Sequence, residues 1–271
     1  MLRYSILLLA ALTMTPGTVG ERNQKPTIWL IGDSTVKNGS GKGSDGLWGW
    51  GDRLYTVIDT NRISIRNHAI GGRSSRTFIA EGRWDVVLAK IKPGDYVIMQ
   101  FGHNDNGPVN DNFRARGTIR GTGEETEEID NILTKKHEIV HTFGWYMKKF
   151  CREANSKGAI PIVCSRIPGN SWKDGKTQQA QEDWAKWSEE SALTEKAYYI
   201  NLNQIIALKY DAIGEEEVTS KYFLTDHTHT NEAGAIFNAQ AVAEGIKTLK
   251  GCKLNKYLLK SSNKPSIDSA K

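Results

Sequence analysis

Five short strand-like runs, most of them continuously apolar, divide this chain, and they constrain its fold more than any other feature. Turn residues bound each run, and segments with helical spacing lie between the runs. The runs are Thr27–Ile31, Ile63–Asn67, Tyr96–Phe101, Ile160–Ser165 and Tyr198–Leu202. A strand that is apolar throughout must be covered on both faces, so the pattern predicts a parallel sheet between helices. We expect a single α/β domain over residues 27–250 with a five-stranded parallel sheet.

The connecting segments are predicted to be mostly helical. Hydrophobic spacing predicts helices over 48–59, 134–156, 178–192 and 231–249, the last with Asn231 as its N-terminal cap. The polar stretch 107–131 is long for a connecting loop, and we interpret it as a loop insertion. Residues 251–271 carry spaced lysines with Ser, Asn and Pro, which predicts a basic, disordered tail.

The first twenty residues have the pattern of a secretory signal peptide. A positive charge at Arg3 precedes the apolar stretch Tyr4–Met14, and small residues lead up to Gly20. The apolar stretch is too short for a transmembrane span. We expect cleavage near Gly20, a linker over 21–26, and a protein that is secreted or periplasmic. The alternative is a buried N-terminal helix.

Composition excludes several classes of protein and partner. With 271 residues, 25% charged and 38% hydrophobic, the chain is neither a multispan membrane protein nor a disordered one. The net charge of +5 is concentrated near the termini, so the body has no basic field for nucleic acid. We expect a monomer without stable membrane association. Cys164 is predicted to be buried. Whether two of Cys151, Cys164 and Cys252 form a disulfide is left open by the sequence.

Four polar segments, three of which contain glycine, lie after the predicted strands. They are Gly32–Thr35, Gly71–Ser74, Gly102–Asp105 and Asp226–His229. In an open parallel sheet, ligands bind outside the carboxyl ends of the strands. We therefore expect these four segments to meet at one edge of the sheet.

The residues in these segments fit a serine-nucleophile site. Ser34, on a turn after a strand, is the candidate nucleophile; His229 is the candidate base, and Asp226 would orient the imidazole. The backbone N–H groups of Ser34 and Gly72 and the side-chain amide of Asn104 could stabilise an oxyanion. Each motif alone is also common as a simple turn, so the prediction depends on their combined order and placement.

The four segments resemble the sequence blocks of the SGNH (GDSL) hydrolases. Within that superfamily the chain is most similar to rhamnogalacturonan acetylesterases, through GDST, NHAIGGRSSRTF, GDYVIMQFGHND and DHTHTNEAGA. The resemblance implies a flavodoxin-like three-layer α/β/α fold and removal of acetyl groups from the rhamnogalacturonan backbone of pectin, without a cofactor. It also implies the triad Ser34, Asp226 and His229, and the oxyanion donors Ser34, Gly72 and Asn104. Other acyl esters, acetylated glycans such as xylan, and non-catalytic carbohydrate binding stay open as alternatives.

A second motif competes with the serine site. His137–His141 reads H-E-x-x-H on a predicted helix, which is the pattern of a zinc protease. Position 147 is Met, where the longer form of the motif needs a third ligand. Zinc bound by Asp226, His227 and His229 is a further alternative. We favour simple helix packing for His137 and His141, and we expect no metal.

Other polar and aromatic residues near the four segments are candidates for binding substrate. Arg73, His103, Trp172 and His227 are the candidates that we assign to the substrate site. A galacturonate-containing substrate would also suit the nearby Arg76, Arg114, Arg116 and Arg120. For each of these residues the alternative is ordinary packing or solvation. Asp33 and Asp105 are expected to brace turns.

Overall fold

The computed structural model describes residues 25–43, 45–179, 182–224 and 226–260. In chain order the elements are β1 (Thr27–Gly32), a 3₁₀ helix (Trp50–Thr56), β2 (Ser64–Asn67), α1 (Ser75–Ala80), α2 (Arg83–Leu88), β3 (Tyr96–Gln100), β4 (Thr126–Asp130), β5 (His137–His141), α3 (Phe143–Ser156), β6 (Ile160–Cys164), β7 (Trp172–Lys173), β8 (Lys176–Thr177), α4 (Glu182–Thr194), β9 (Tyr198–Ile200), α5 (Leu202–Ile213), α6 (Glu215–Tyr222), α7 (Glu232–Thr248) and a second 3₁₀ helix (Lys253–Tyr257).

The main sheet has five parallel strands in the order β2-β1-β3-β6-β9. All five correspond to the apolar runs, so the predicted α/β class and strand set are confirmed. The chain leaves β1 toward β2 on one side and later returns to β3 on the other. The order therefore changes direction at β1, where an open α/β sheet forms its ligand crevice.

Side chains of the sheet alternate between two hydrophobic layers. On β1, Ile28 and Leu30 pack with α5, α6, α7 and the two 3₁₀ helices, whereas Trp29 and Ile31 pack with α1 to α4. On β3, Ile98 belongs to the first of these layers, and its neighbours Val97 and Met99 belong to the second. Burial on both faces explains the continuously apolar runs, and it produces the predicted three layers.

The predicted loop insertion and the helix that follows it differ from expectation. Residues 126–130 are strand β4, which pairs antiparallel with β5, so His137–His141 is a strand and not part of a helix. The helix α3 begins only after Thr142, whose hydroxyl accepts the Trp145 amide at 3.0 Å. Val140 is buried from the strand and Phe143 from the helix. Val140 and Phe143 are three residues apart, which is the spacing of one helical face. They nevertheless lie on opposite sides of the boundary between β5 and α3, so the spacing suggested a helix that does not include Val140.

The prediction of a disordered tail over 251–271 is wrong for its first ten residues. Cys252 and Leu254 are buried, and the second 3₁₀ helix packs on the domain. The Leu259 amide donates to the Val57 carbonyl at 2.9 Å, which fixes the segment along one edge. Lysines between these positions keep their charges outside while the apolar residues are buried. Residues 261–271, the predicted signal peptide and most of the linker lie outside the described residues.

All three cysteines are buried and unpaired, so the disulfide left open by the sequence is absent and the burial of Cys164 is confirmed. Within the described ranges, no helix combines the length and the apolar character that crossing a membrane requires.

Candidate active site

Ser34 lies on a tight turn directly after β1. A Cβ atom at Gly32 would come within 2.5 Å of the Gln100 carbonyl oxygen, so the approach of β1 to β3 requires glycine there. The Asp33 carboxylate closes the turn by accepting hydrogen bonds from the Thr35 amide at 2.9 Å and hydroxyl at 2.7 Å. The turn leaves Ser34 half-buried at the carboxyl edge of a central strand, where a nucleophile can meet a ligand.

The structure brings Ser34, His229 and Asp226 into one hydrogen-bonded chain. His229 Nε2 lies 2.8 Å from Ser34 Oγ, and His229 Nδ1 lies 2.7 Å from Asp226 Oδ2. A carboxylate at Nδ1 places the proton there and leaves Nε2 free to accept the serine proton. This arrangement can convert a serine hydroxyl into a nucleophile.

The Asp226 carboxylate is held by its own loop. Its Oδ1 accepts the backbone amides of Thr228 at 2.7 Å and His229 at 2.6 Å. Burial alone would raise the pKa of Asp226, but these amides and the His229 side chain hold it below the ordinary value. Asp226 therefore stays ionised and can stabilise an imidazolium.

Contacts from three other segments position the loop that carries Asp226 and His229. The Trp48 amide donates to the Thr230 carbonyl at 2.8 Å, and the Asn170 amide donates to the His227 carbonyl at 2.7 Å. The side chain of Asn231 accepts the Gly234 amide at 3.0 Å and caps α7, as predicted. The base is thus fixed by the strand-edge loops and by a helix start.

The glycine segment lies beside the nucleophile. A Cβ atom at Gly71 would lie 3.6 Å from Ser34 Cβ, and Gly72 has a φ of +77°, which favours glycine. Asn104 Nδ2 donates to the Arg73 carbonyl at 2.9 Å, which ties the third segment to the second. An amide nitrogen has two hydrogens, so a second N–H remains for an oxyanion.

Two buried carboxylates brace these turns, as expected for Asp33 and Asp105. Asp33 Oδ2 lies 3.3 Å from His103 Nδ1; burial opposes ionisation of Asp33, but His103 and Thr35 keep its pKa below the ordinary value. Asp105 accepts the amides of Ser75 and Gly102, each at 3.0 Å. Burial, together with the charge of Asp33, raises the pKa of Asp105 to about 6.

The four residues that the sequence analysis assigned to substrate binding have protein partners. His103 bridges Asp33 and the Ile167 carbonyl, and Arg73 pairs with Glu81 at 3.0 Å. The remaining two each contact Asn170: Trp172 through its indole N–H at 2.8 Å and His227 through Nδ1 at 3.0 Å. His103 is therefore a brace between two loops, whereas Arg73, Trp172 and the exposed His227 keep surface that a ligand can reach.

The four neighbouring arginines divide into different environments. Arg76 is only 3% exposed, lies on α1, and is clamped by Glu138 and the Gly117 carbonyl, so it does not face a substrate. Arg120 pairs with Asp183 at 2.9 Å. Arg114 is exposed, and Arg116 Nη1 donates to the Gly72 carbonyl at 2.8 Å.

Two residues at this edge of the sheet had no sequence-based role. Arg166, which follows β6, is buried and donates to the Gly102 carbonyl at 3.2 Å. Burial lowers the pKa of Arg166 to about 10, and the charges of Asp33 and Asp105 oppose that shift. Its position directly after a sheet strand was the available signal. Ser75, the other residue, could be assigned only by its contact with Asp105.

The alternative of a zinc site on His137–His141 fails because that segment is a strand. Successive side chains of a strand alternate between faces, whereas the motif needs both histidines and the glutamate on one helical face. His137 contacts Asp130 at 3.2 Å, and His141 stacks on Trp145 with ring centroids 3.7 Å apart. Among the described residues, no group of three or more His, Cys, Asp or Glu could hold a metal ion.

Comparison with known proteins gives a consistent set of relatives. The model of the GDSL-like Lipase/Acylhydrolase family matches residues 30–235. The rhamnogalacturonan acetylesterase of Emericella nidulans is 31% identical over 253 residues, which is 93% of this chain and 95% of the relative. The probable rhamnogalacturonan acetylesterase YesY of Bacillus subtilis is 30% identical over 237 residues, covering 86% of this chain and 97% of YesY.

Solved structures share the fold. Protein YXIM of Bacillus subtilis superposes with a TM-score of 0.66 at 27% identity, over 83% of this chain and 56% of that chain. Axe2, an acetylxylan esterase of Geobacillus stearothermophilus, superposes with a TM-score of 0.54 at 17% identity, over 84% of this chain and 95% of Axe2. The second similarity bears on the fold alone.

Proposed function

This chain belongs to the GDSL-like lipase/acylhydrolase family and is a carboxylic ester hydrolase, and from that premise we propose that it deacetylates a plant cell-wall polysaccharide, rhamnogalacturonan. Two curated relatives that it matches over most of their length carry the name of that activity, one of them as probable. The observation that carries the proposal is the hydrogen-bonded chain from Ser34 through His229 to Asp226.

The first half of the proposed reaction forms an acyl-enzyme. Ser34 Oγ attacks the acetyl carbonyl carbon while His229 Nε2 takes its proton, and Asp226 stabilises the imidazolium. The carbonyl oxygen becomes an oxyanion that accepts hydrogen bonds from N–H groups of Ser34, Gly72 and Asn104. When the tetrahedral intermediate collapses, the C–O bond to the sugar breaks and His229 gives its proton to the leaving sugar oxygen.

The second half repeats these steps with water. His229 takes a proton from a water molecule, whose oxygen attacks the acetyl-Ser34 carbonyl. Collapse breaks the bond to Ser34 Oγ, returns the proton to that oxygen, and releases acetate. The residues of this chain supply each proton acceptor and donor that the reaction needs.

Acetate release from acetylated rhamnogalacturonan tests the proposal, with acetylated xylan measured in parallel. The wild type and Ser34→Ala are compared, with Ser40→Ala as the matched control on an exposed loop position. We expect release from rhamnogalacturonan that is lost in Ser34→Ala and kept in Ser40→Ala. Release from xylan alone would retain the serine mechanism and exclude the pectin substrate.

We also propose that the protein is exported after cleavage near Gly20 and acts as a monomer. The support for export is the Tyr4–Met14 apolar stretch with its flanking charge and small residues. Sequencing the N-terminus of protein recovered from outside the cytoplasm would show a start near Glu21. Size-exclusion chromatography with light scattering would give a mass near 30 kDa or less for a monomer.

A further inference from the structure

A cleft of about 520 Å³ opens beside the glycine segment, and its lining does not include the Asp226 loop. Gly72 and Arg73 form part of its wall, so it begins at a residue proposed to bind the oxyanion. Its other lining residues include Phe113, Arg114, Arg116 and Lys136, from the segment that the sequence marked as an insertion and from the turn that follows β4. Its size falls in the range of about 300–1,000 Å³ typical of small-molecule sites.

The cleft has an excess of positive charge. Its two acidic residues are already paired: Glu81 with Arg73 and Arg83, and Glu138 with Arg76. Among the described residues, Arg114, Arg116 and Lys136 have no carboxylate within ion-pair distance. These three therefore supply uncompensated charge to the cleft wall. Burial is the main cause that lowers the pKa of Arg116; the charge of Arg114 adds to this shift, and the charges of Asp33 and Asp105 oppose it.

The segment that carries Arg114 is fixed rather than extended freely into solvent. Asp111 Oδ1 accepts the backbone amides of Phe113 at 3.2 Å and Arg114 at 2.7 Å. The Arg114 guanidinium lies 4.9 Å from the centre of the Phe113 ring, and that ring is 71% exposed. A large aromatic ring held at a cleft rim beside a guanidinium offers a stacking face and a charge together.

We propose that Arg114, Arg116 and Lys136 form a subsite for the carboxylate of a uronate residue next to the acetylated sugar, with Phe113 stacking on a sugar ring. A guanidinium matches a planar carboxylate through two parallel hydrogen bonds, and a neutral sugar offers no such partner. The proposal rests on the proposed function, because it assumes that the substrate is an acidic polysaccharide. It assigns preference for that substrate to the residues of this cleft.

Kinetics with charged and neutral forms of one polymer test the subsite. The substrates are acetylated rhamnogalacturonan and the same polymer with its carboxylates methyl-esterified; acetate release is normalised to active enzyme. Because charge-assisted hydrogen bonds at an exposed site are lost, we expect Arg114→Gln to raise KM on the acidic polymer by about 5- to 10-fold. The preference of the enzyme for the acidic over the esterified polymer should shrink by the same factor.

Arg152→Gln is the matched control, because Arg152 is an exposed arginine on α3, paired with Glu195, outside the cleft lining. It removes the same charge and should leave the preference unchanged. Equal preference in the wild type and Arg114→Gln would overturn the subsite while leaving the esterase proposal intact. Equal loss in both variants would indicate only a general charge effect and would also overturn it.

Calorimetric titration of trigalacturonate decides the subsite even if the polymer is not a substrate. The ligand is added to Ser34→Ala and to the Ser34→Ala, Arg114→Gln double variant. We expect trigalacturonate to bind Ser34→Ala, and to bind the double variant about fivefold or more weakly. Added salt should also weaken binding to Ser34→Ala. Absence of wild-type deacetylation would then exclude the proposed substrate alone, whereas equal or absent binding in both variants would exclude the subsite.

Discussion

Arg116 Nη1 donates a 2.8 Å hydrogen bond to the carbonyl oxygen of Gly72. The bond fixes a glycine peptide that has a positive φ and would otherwise rotate easily. The next residue is held as well, since the Arg73 carbonyl accepts the Asn104 amide. The two peptide groups that directly follow the proposed oxyanion donor, the Gly72 N–H, are therefore both held by hydrogen bonds.

Loss of this bond should slow turnover of a small ester. Arg116→Met keeps the apolar stem and removes the donor, so we expect kcat for p-nitrophenyl acetate to fall about tenfold, less than the roughly 10²–10³ lost when a direct oxyanion donor is removed. The KM of this neutral substrate should stay within about twofold, because Arg116 acts by positioning.

Arg116→Lys is the matched variant, since it keeps a donor and a charge. Partial recovery of kcat by lysine is expected. A rise in KM with unchanged kcat would show that Arg116 contacts the small substrate and does not position the Gly72 peptide.

Asp226→Asn should disable the base while leaving the fold intact. An amide at this position cannot satisfy two backbone amides and the His229 Nδ1–H with acceptors alone, so the imidazole loses its fixed tautomer. General acid–base catalysis contributes about 10²–10⁴, and we expect kcat to fall within that range. Steady-state kinetics and thermal unfolding are measured together, with the exposed Asp130→Asn as control. Retained activity in Asp226→Asn would remove aspartate from the mechanism.

Hydrolysis should be lost on the acid side of the pH profile. A protonated imidazole cannot accept the Ser34 proton, and the His229–Ser34 contact at 2.8 Å makes that acceptance the first step. The pKa of Asp226 is lowered, so its carboxylate remains charged above its ordinary titration range and should not cause this loss. The measurement is kcat/KM against pH. A profile without an acid-side fall in rate would exclude His229 as the base.

The sheet was predictable because it depends on local patterns, whereas the Ser34–His229 contact, between residues 195 positions apart, was predicted from the resemblance of the four segments to SGNH sequence blocks. Continuous apolar runs specify strands covered on both faces, and Ser34, Asp226 and His229 lie directly on loops at the sheet edge. Asn231 was recognisable as a cap from its position alone. The strands and the cap are each encoded within a few residues of chain.

The errors involve partners that are distant in sequence. Val140 belongs to a strand because it pairs with Glu127, and nothing in its own neighbourhood distinguishes that strand from a helix. Arg76 on α1 is buried because Glu138, on the hairpin of β4 and β5, pairs with it. The segment after residue 250 packs because Leu254 is buried in the hydrophobic core, although the lysines of this segment suggested exposure to solvent. Burial that depends on such a distant partner leaves no periodic pattern in the sequence.

The buried carboxyl of Asp105 should give the unfolding free energy a specific pH dependence. Its pKa is raised from an ordinary 3.8 to about 6, chiefly by burial. Below the ordinary pKa both the folded and unfolded forms hold the proton, and between the two values only the folded form does. The contribution of Asp105 therefore favours folding in acid and is lost as pH rises to about 6. At about 1.4 kcal/mol per pKa unit, the loss is at most on the order of 3 kcal/mol.

Asp105→Asn removes this titration, because the amide is neutral at every pH. Its NH₂ group would face one of the donor amides of Ser75 or Gly102, which adds a constant penalty at all pH values. We expect urea unfolding at pH 4, 5, 6 and 7 to show the variant gaining on the wild type as pH rises. Asp111→Asn is the control that should not show this slope, since amides of Ala115 and Arg114 lower the pKa of Asp111 and its titration falls below the measured pH range. Stability curves of wild type and Asp105→Asn that run parallel over this range would show that Asp105 does not hold a proton in the folded protein.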